Sequence, residues 1–217
     1  MPVKVGLRYI EIWKSSLEKA VLEYEKEEVQ KGQIVFYGPS NFTRWSEKYG
    51  NVELRDVILG KSGARCAINR GFGSSCPEHQ LYYYPRMVRP LEPSVLVYSC
   101  HGNETNFGYT LEESWELAQR VIVYTLTDFP NARVYLSSAN RKVGLSESDI
   151  ARRREFNSWI REFADSTERC FYLDTFEYEP LAREDIFIKD GVHFNPEGYA
   201  AYAEFFRNAL KDELDRF

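Results

Sequence analysis

The chain has 217 residues, 43% hydrophobic and 15% aromatic, enough to bury a sizeable core. A single domain over 1–217 is expected, with residues 1–32 forming an N-terminal helix packed on it. Its 28 Lys and Arg against 33 Asp and Glu give a formal charge of −5 with the signs interspersed, which excludes a broad basic face for nucleic acid. No apolar run reaches the roughly 18 residues of a membrane span and the N-terminus mixes charges into any signal core, so a soluble, cytoplasmic protein without a membrane partner is expected.

In chain order, short apolar runs alternate with amphipathic stretches. The runs are QIVFYG (33–38), ARCAIN (64–69), SVLVYSC (94–100), ARVYLSS (132–138) and CFYLDT (170–175). Between and around them, apolar residues recur at i, i+3, i+4 and i+7: Leu17, Ala20, Val21 and Tyr24; Ala118, Val121, Ile122 and Thr125; Phe156, Trp159, Ile160 and Phe163; Tyr199, Tyr202, Ala203 and Phe206. Each set gives a helix one stripe to bury, and the alternation predicts an α/β domain with helices on both faces of a parallel sheet. Thr110 with Glu113 reads as a capping box, and Asn195 before Pro196 as an N-cap and first helical position. Arg152, Arg153 and Arg154 form the densest basic cluster and read as a solvated helix face.

Ligands of an open parallel sheet bind beyond the carboxyl ends of its strands. After the first run, Ser40 follows Gly38-Pro39, either a hydroxyl at the tip of a sharp turn or a helix N-cap. The loop NRGFGSS after the second run could converge backbone N–H groups on an anionic oxygen, or could only turn tightly. After the third, Asn103 offers an amide donor or an Asx turn, with Glu104 beside it to hold the loop. Asp190 and His193 stand three apart in the loop entering the last helix. Together these positions supply nucleophile, oxyanion donors, orienting acid and general base, the components of acyl transfer.

At this point the sequence resembles the SGNH hydrolases of the GDSL esterase and lipase superfamily, over roughly residues 33–207. IVFYGPSNFTRW is similar to the branch whose first block reads Gly-Ser-Ser-Ser-Ile-Arg-x-Trp, and INRGFGSS to its Asn-Arg-Gly-Phe-Gly-Gly-Ser block. The resemblance implies a three-layer α/β/α sandwich, flavodoxin-like, with a central parallel sheet of about five strands. It implies Ser40 as nucleophile, His193 as its base and Asp190 as the residue orienting the imidazole. Asn103 and the backbone N–H groups of Ser40 and Ser74 would form the oxyanion hole. No cofactor or metal follows from it. The chain departs from the family in three places: Pro39 precedes the serine, Ser74 stands at the oxyanion glycine, and CHGNE puts His101 two before Asn103 in a block one residue longer than usual.

The expected reaction is hydrolysis of short-chain carboxylic esters, with O-acetyl groups on carbohydrates among the candidates, and the expected partner is a small-molecule or carbohydrate ester. Acyl transfer to another alcohol and a catalytically weakened binding module are the alternatives, and self-association is left open. Cys76, His79, Cys100 and His101 pose a rival zinc site, although adjacent residues ligate one ion poorly and Cys66, Cys100 and Cys170 read as buried structural thiols. Tyr82, Tyr83 and Tyr84 could line a substrate cleft or belong to the core.

Overall fold

The computed structural model describes residues 6–8, 10–12 and 14–217, with the side chains of Glu104 and Thr105 left aside. Positions 1–5, 9 and 13 of the stretch read as an N-terminal helix, and the part assigned to the Glu104 side chain, lie outside that description.

Five strands form one all-parallel sheet: β1 (Ile34–Gly38), β2 (Ala67–Gly71), β3 (Val95–Ser99), β4 (Arg133–Ser137) and β5 (Cys170–Leu173). Their order is β2-β1-β3-β4-β5, the flavodoxin-like winding. Successive residues of a strand point to opposite faces, and both faces are covered here, so the central strands read as unbroken apolar runs. Every residue of β1 and of β3 is buried.

Val35, Tyr37, Leu96, Tyr98, Val134 and Leu136 face a core shared with α1 (Lys14–Tyr24), α4 (Pro77–Met87), α5 (Leu111–Asp128) and α6 (Glu147–Ser166). On the other face, Ile34, Phe36, Val95, Val97 and Tyr135 pack with α2 (Ser40–Thr43), α3 (Leu54–Val57), α7 (Pro196–Ala209) and α8 (Lys211–Leu214). The stripes expected from periodicity are the buried ones: Leu17 and Val21, Ala118 to Thr125, Phe156 and Ile160, and Tyr199 to Phe206. Both expected helix starts form, with the Thr110 hydroxyl accepting from Glu113 N–H and the Asn195 side-chain Oδ1 from Gly198 N–H.

The second run needs correction. The strand covers Ala67–Gly71 rather than 64–69, because Gly60 N–H bonds the Ala64 carbonyl at 2.9 Å and Arg65 bridges antiparallel to Leu59, holding that segment in a turn. Arg70 and Gly71, beyond the run and read as loop, continue the strand. Arg70 is tolerated because β2 is an edge strand: its guanidinium lies 4.7 Å from the Tyr24 ring and pairs with Glu27 at 2.7 Å. Among the described residues no helix is long and apolar enough to cross a membrane.

Candidate active site

The winding reverses direction between β1 and β3, and the loops leaving those two strands open a crevice. Ser40 stands on one lip as the first residue of α2; the N-cap position falls on Pro39, so the plain-cap reading of Ser40 does not hold. α2 sits low over β2. A Cβ on Gly71 would lie 2.6 Å from the Phe42 carbonyl carbon and collide with the Thr43 nitrogen, and Asn69 Nδ2 donates to the Phe42 carbonyl at 2.7 Å. Tyr199 of α7 donates its hydroxyl to the Asn41 carbonyl at 2.9 Å. Residues from two elements therefore hold the serine's turn.

Facing it is the loop that enters α7, closed by an antiparallel bridge between Phe187 and Phe194 and by Ile188 N–H on the His193 carbonyl at 2.8 Å. Gly191 sits within this loop at φ +66°, a left-handed conformation that glycine adopts without strain. The resulting turn lets Asp190 Oδ1 accept the backbone N–H groups of Val192 and His193, both at 2.9 Å, while Oδ2 meets His193 Nδ1 at 2.7 Å. His193 Nε2 lies 2.8 Å from Ser40 Oγ.

Electrostatics fixes the protons. Burial pushes the Asp190 carboxyl up, but the hydrogen bonds from His193 and Val192 outweigh it and hold the group at about 2. An ionised carboxylate only accepts, so Nδ1 carries the imidazole proton and Nε2 presents its lone pair to the Ser40 hydroxyl. Burial lowers the His193 pKa from its ordinary 6.5; the Asp190 hydrogen bond opposes this, and the Arg44 and Lys142 charges add to it. Arg44 lies 3.9 Å from Asp190. The imidazole is thus neutral near pH 7 and able to accept a proton.

Asn103 lines the same cleft as Ser40 and His193, and its Nδ2 donates to the Ser75 carbonyl at 2.9 Å, tying the loop after β3 to the loop after β2. An amide nitrogen carries two hydrogens, so one bond leaves a second to offer. Gly73 runs beside the serine, its would-be Cβ 4.0 Å from Ser40 Cβ. Ser74 follows at φ +66°, a left-handed conformation in which a residue with a Cβ is uncommon, and it lines a separate groove beside α1 rather than the Ser40 cleft.

Other expectations resolve differently. Tyr83 and Tyr84 are buried in the core, Tyr83 donating to Glu18, and none of the three tyrosines lines the Ser40 cleft. The zinc reading loses its ligands: His79 Nδ1 accepts from Cys76 N–H at 3.3 Å in the box that starts α4, and its Nε2 reaches the Ile12 carbonyl at 3.0 Å. Among the described residues no three His, Cys, Asp or Glu side chains converge as a metal site. All four cysteines are buried and outside any disulfide, and burial pushes the Cys66 and Cys170 thiols up to about 11. The site also uses residues that the sequence reading passed over. Asn69 and Tyr199 hold α2, Arg44 acts on the histidine, and Asn140 and Lys142 line the cleft after β4. The rule that ligands gather after each strand pointed to Asn140 and Lys142 but was applied only to the first three strands.

A serine, a neutral imidazole and a carboxylate in hydrogen-bonded series on a parallel α/β/α scaffold are the arrangement of a serine hydrolase. A profile of the GDSL-like lipase/acylhydrolase family matches residues 36–201, well over half of the chain. The chain belongs to that family, within the SGNH/GDSL superfamily, and is a carboxylic ester hydrolase. No curated protein matches it. Among solved structures it is similar to a GDSL-like lipase from Bacteroides thetaiotaomicron (17% identity, TM-score 0.68, covering 93% of this chain and 98% of that one). It is also similar to the acetyl xylan esterase AlAXEase (19%, TM-score 0.67, 82% and 99%) and to a carbohydrate esterase family 3 structure from Talaromyces cellulolyticus (12%, TM-score 0.63, 86% and 99%). At such identities the likeness establishes the fold.

Proposed function

We propose that the protein is a serine esterase of short-chain carboxylic esters, working through Ser40, His193 and Asp190. The observation that carries this is the continuous pair of contacts, Ser40 Oγ to His193 Nε2 at 2.8 Å and His193 Nδ1 to Asp190 Oδ2 at 2.7 Å. Ser40 Oγ attacks the ester carbonyl while Nε2 takes its proton, and Asp190 stabilises the imidazolium that forms. The carbonyl oxygen becomes an oxyanion held by Asn103 Nδ2 and the backbone N–H groups of Ser40 and Ser74. Collapse breaks the ester C–O bond as the imidazolium gives its proton to the leaving alcohol. Water then attacks the acyl-enzyme, His193 again taking and returning a proton, and the carboxylic acid leaves Ser40 free.

The short-chain preference rests on the cleft's small enclosed volume, about 80 Å³, beside the polar side chains of Asn41, Asn103, Asn140 and His193. A long alkyl chain would find little enclosed room there. O-acetyl groups on carbohydrates fit that volume and polarity, and the fold is shared with an acetyl xylan esterase. The test is hydrolysis of p-nitrophenyl acetate, butyrate and octanoate by wild type and Ser40→Ala. Acetate or butyrate should be turned over fastest and Ser40→Ala should be inactive. Equal rates from the two proteins would remove Ser40 from the chemistry, and a preference for octanoate would overturn the short-chain assignment.

A further inference from the structure

Beneath the loop that leaves β4 runs a row of buried hydroxyl groups, and it ends on a side chain of the Ser40 cleft. Ser138 and Thr175 are both buried, so each hydroxyl needs partners and the direction of every bond is constrained. Phe176 N–H donates to Ser138 Oγ at 2.9 Å, which leaves the Ser138 hydroxyl to donate to Thr175 Oγ1 at 3.0 Å. Thr175 in turn has Asn140 Oδ1 at 2.9 Å, nearer than the Ser138 carbonyl at 3.2 Å. The row therefore fixes Asn140 with its carbonyl oxygen inward. Its Nδ2 donates to the Tyr202 hydroxyl at 3.4 Å, and the second hydrogen of the amide is left for the cleft that Asn140 lines.

Backbone contacts place that amide relative to the chemistry. Arg153 of α6 donates to the Asn140 backbone carbonyl at 3.3 Å. The basic cluster read from sequence as a solvated face is thus divided: Arg154 faces Glu177 at 2.7 Å, whereas Arg153 is half-buried against the cleft. Arg141 anchors the same loop by donating to the Phe176 carbonyl at 3.0 Å. Val143 N–H then donates to the Gly191 carbonyl at 2.8 Å, which seats the loop against the turn that carries Asp190 and His193. Asn103 belongs instead to the loop tied to Ser75, on the oxyanion side. Because His193 returns its proton to the departing alcohol oxygen, the half of the ester beside its turn is the alcohol.

We propose that Asn140 sets specificity for the leaving alcohol, its free amide hydrogen donating to an oxygen that neighbours the ester oxygen, as polyols, sugars and glycol ethers present. This rests on the serine-esterase reading and names the alcohol class for that site. An alkyl alcohol would displace water from the amide without replacing its hydrogen bond, so discrimination comes from the bond left unmade as well as from the one formed. The effect is felt chiefly as KM, since the contact lies away from the reacting carbonyl.

The test uses matched acetates. 2-Methoxyethyl acetate and butyl acetate have equal length, but only the first carries an ether oxygen, which accepts and cannot donate; 2-hydroxyethyl acetate and propyl acetate are the hydroxyl pair. Wild type should favour the oxygenated member of each pair by about fivefold in kcat/KM, mostly through KM, after division by the hydroxide-catalysed ratio. Asn140→Asp keeps an acceptor for Thr175 and removes the donor. Its ether preference should fall to one or below while its hydroxyl preference survives, because a carboxylate accepts from a hydroxyl. Asn140→Ala should abolish both preferences, which keeps the test open should Asn140→Asp not fold. Ratios of one or less in wild type, or an ether preference unchanged in both variants, would overturn the proposal. So would an ether preference confined to the acyl side, read with p-nitrophenyl methoxyacetate against p-nitrophenyl butyrate. Turnover of butyl acetate that is lost in Ser40→Ala reports separately on the serine-esterase reading, so the two can fail independently.

Discussion

The corner that carries Asp190 and His193 and the pair of loops across from it, Gly73–Ser75 and His101–Asn103, are built by opposite means. In the first, a four-residue turn satisfies itself: Asp190 binds two backbone N–H groups and the ring of the histidine three positions on, so the imidazole is aimed by its own loop before the rest of the protein is considered. In the second, little is local. Asn103 is placed by a carbonyl 28 positions earlier, and Ser74 holds a left-handed backbone conformation that its side chain disfavours. Self-contained turns tolerate divergence around them, whereas a cross-loop contact fails when either loop changes. The three departures from the family pattern, Pro39, Ser74 and His101, all lie outside the Asp190 turn.

The difference is tested most severely from the local side. Asp190→Asn keeps the side chain's size but replaces a purely accepting carboxylate by an amide, so Nδ1 no longer has a fixed proton and Nε2 loses its defined lone pair. The expected loss is on the order of 10⁴ in kcat, read from steady-state hydrolysis of p-nitrophenyl acetate, with KM little changed. A loss under about tenfold would mean the turn aims the ring without its carboxylate. Next in size is Asn103→Ala, expected to lower kcat by about 10²–10³ if the second amide hydrogen serves the oxyanion. If the Ser75 contact is all that Asn103 provides, the cost falls on stability instead, and thermal unfolding of the same variant separates the two.

The same division governs what could be read from the sequence. Asp190 and His193 were legible because their relation is a spacing, and Ser40 because a glycine, a proline and the end of an apolar run mark a turn. All five strands were visible, since burial on both faces makes central strands apolar throughout. β2 was misplaced because an edge strand need not be apolar: Arg70 enters it on the strength of Tyr24 and Glu27, partners more than forty positions away. Arg44 and Arg153 were hidden for a like reason. Their proximity to the site arises from how α2 and α6 pack, and a basic residue on a helix looks the same in sequence whether it faces solvent or a cleft.

Ser74→Gly probes the less local side without removing a donor. Relief of the left-handed strain, less the extra backbone entropy that glycine has when unfolded, should stabilise the fold by about 0.5 kcal/mol, a rise of roughly 1–2 °C in Tm. Activity should stay within about twofold, because the backbone N–H is retained. A drop in kcat with a raised Tm would show that the serine's stiffness, rather than its donor, sets the loop's geometry.

Arg44→Met makes the smallest change and joins the two sides. The guanidinium lowers the imidazole's affinity for a proton and also lies 3.9 Å from Asp190, partly screening the carboxylate that raises it. Removing it therefore acts twice in one direction. The His193 pKa, held below 6.5 chiefly by burial, should rise, and the acid limb of kcat/KM should move up with it. Because neutral imidazole is the active base, activity at pH 8 should be unaffected by that shift while activity at pH 5.5 falls. A limb that stays in place would assign the lowered pKa to burial alone.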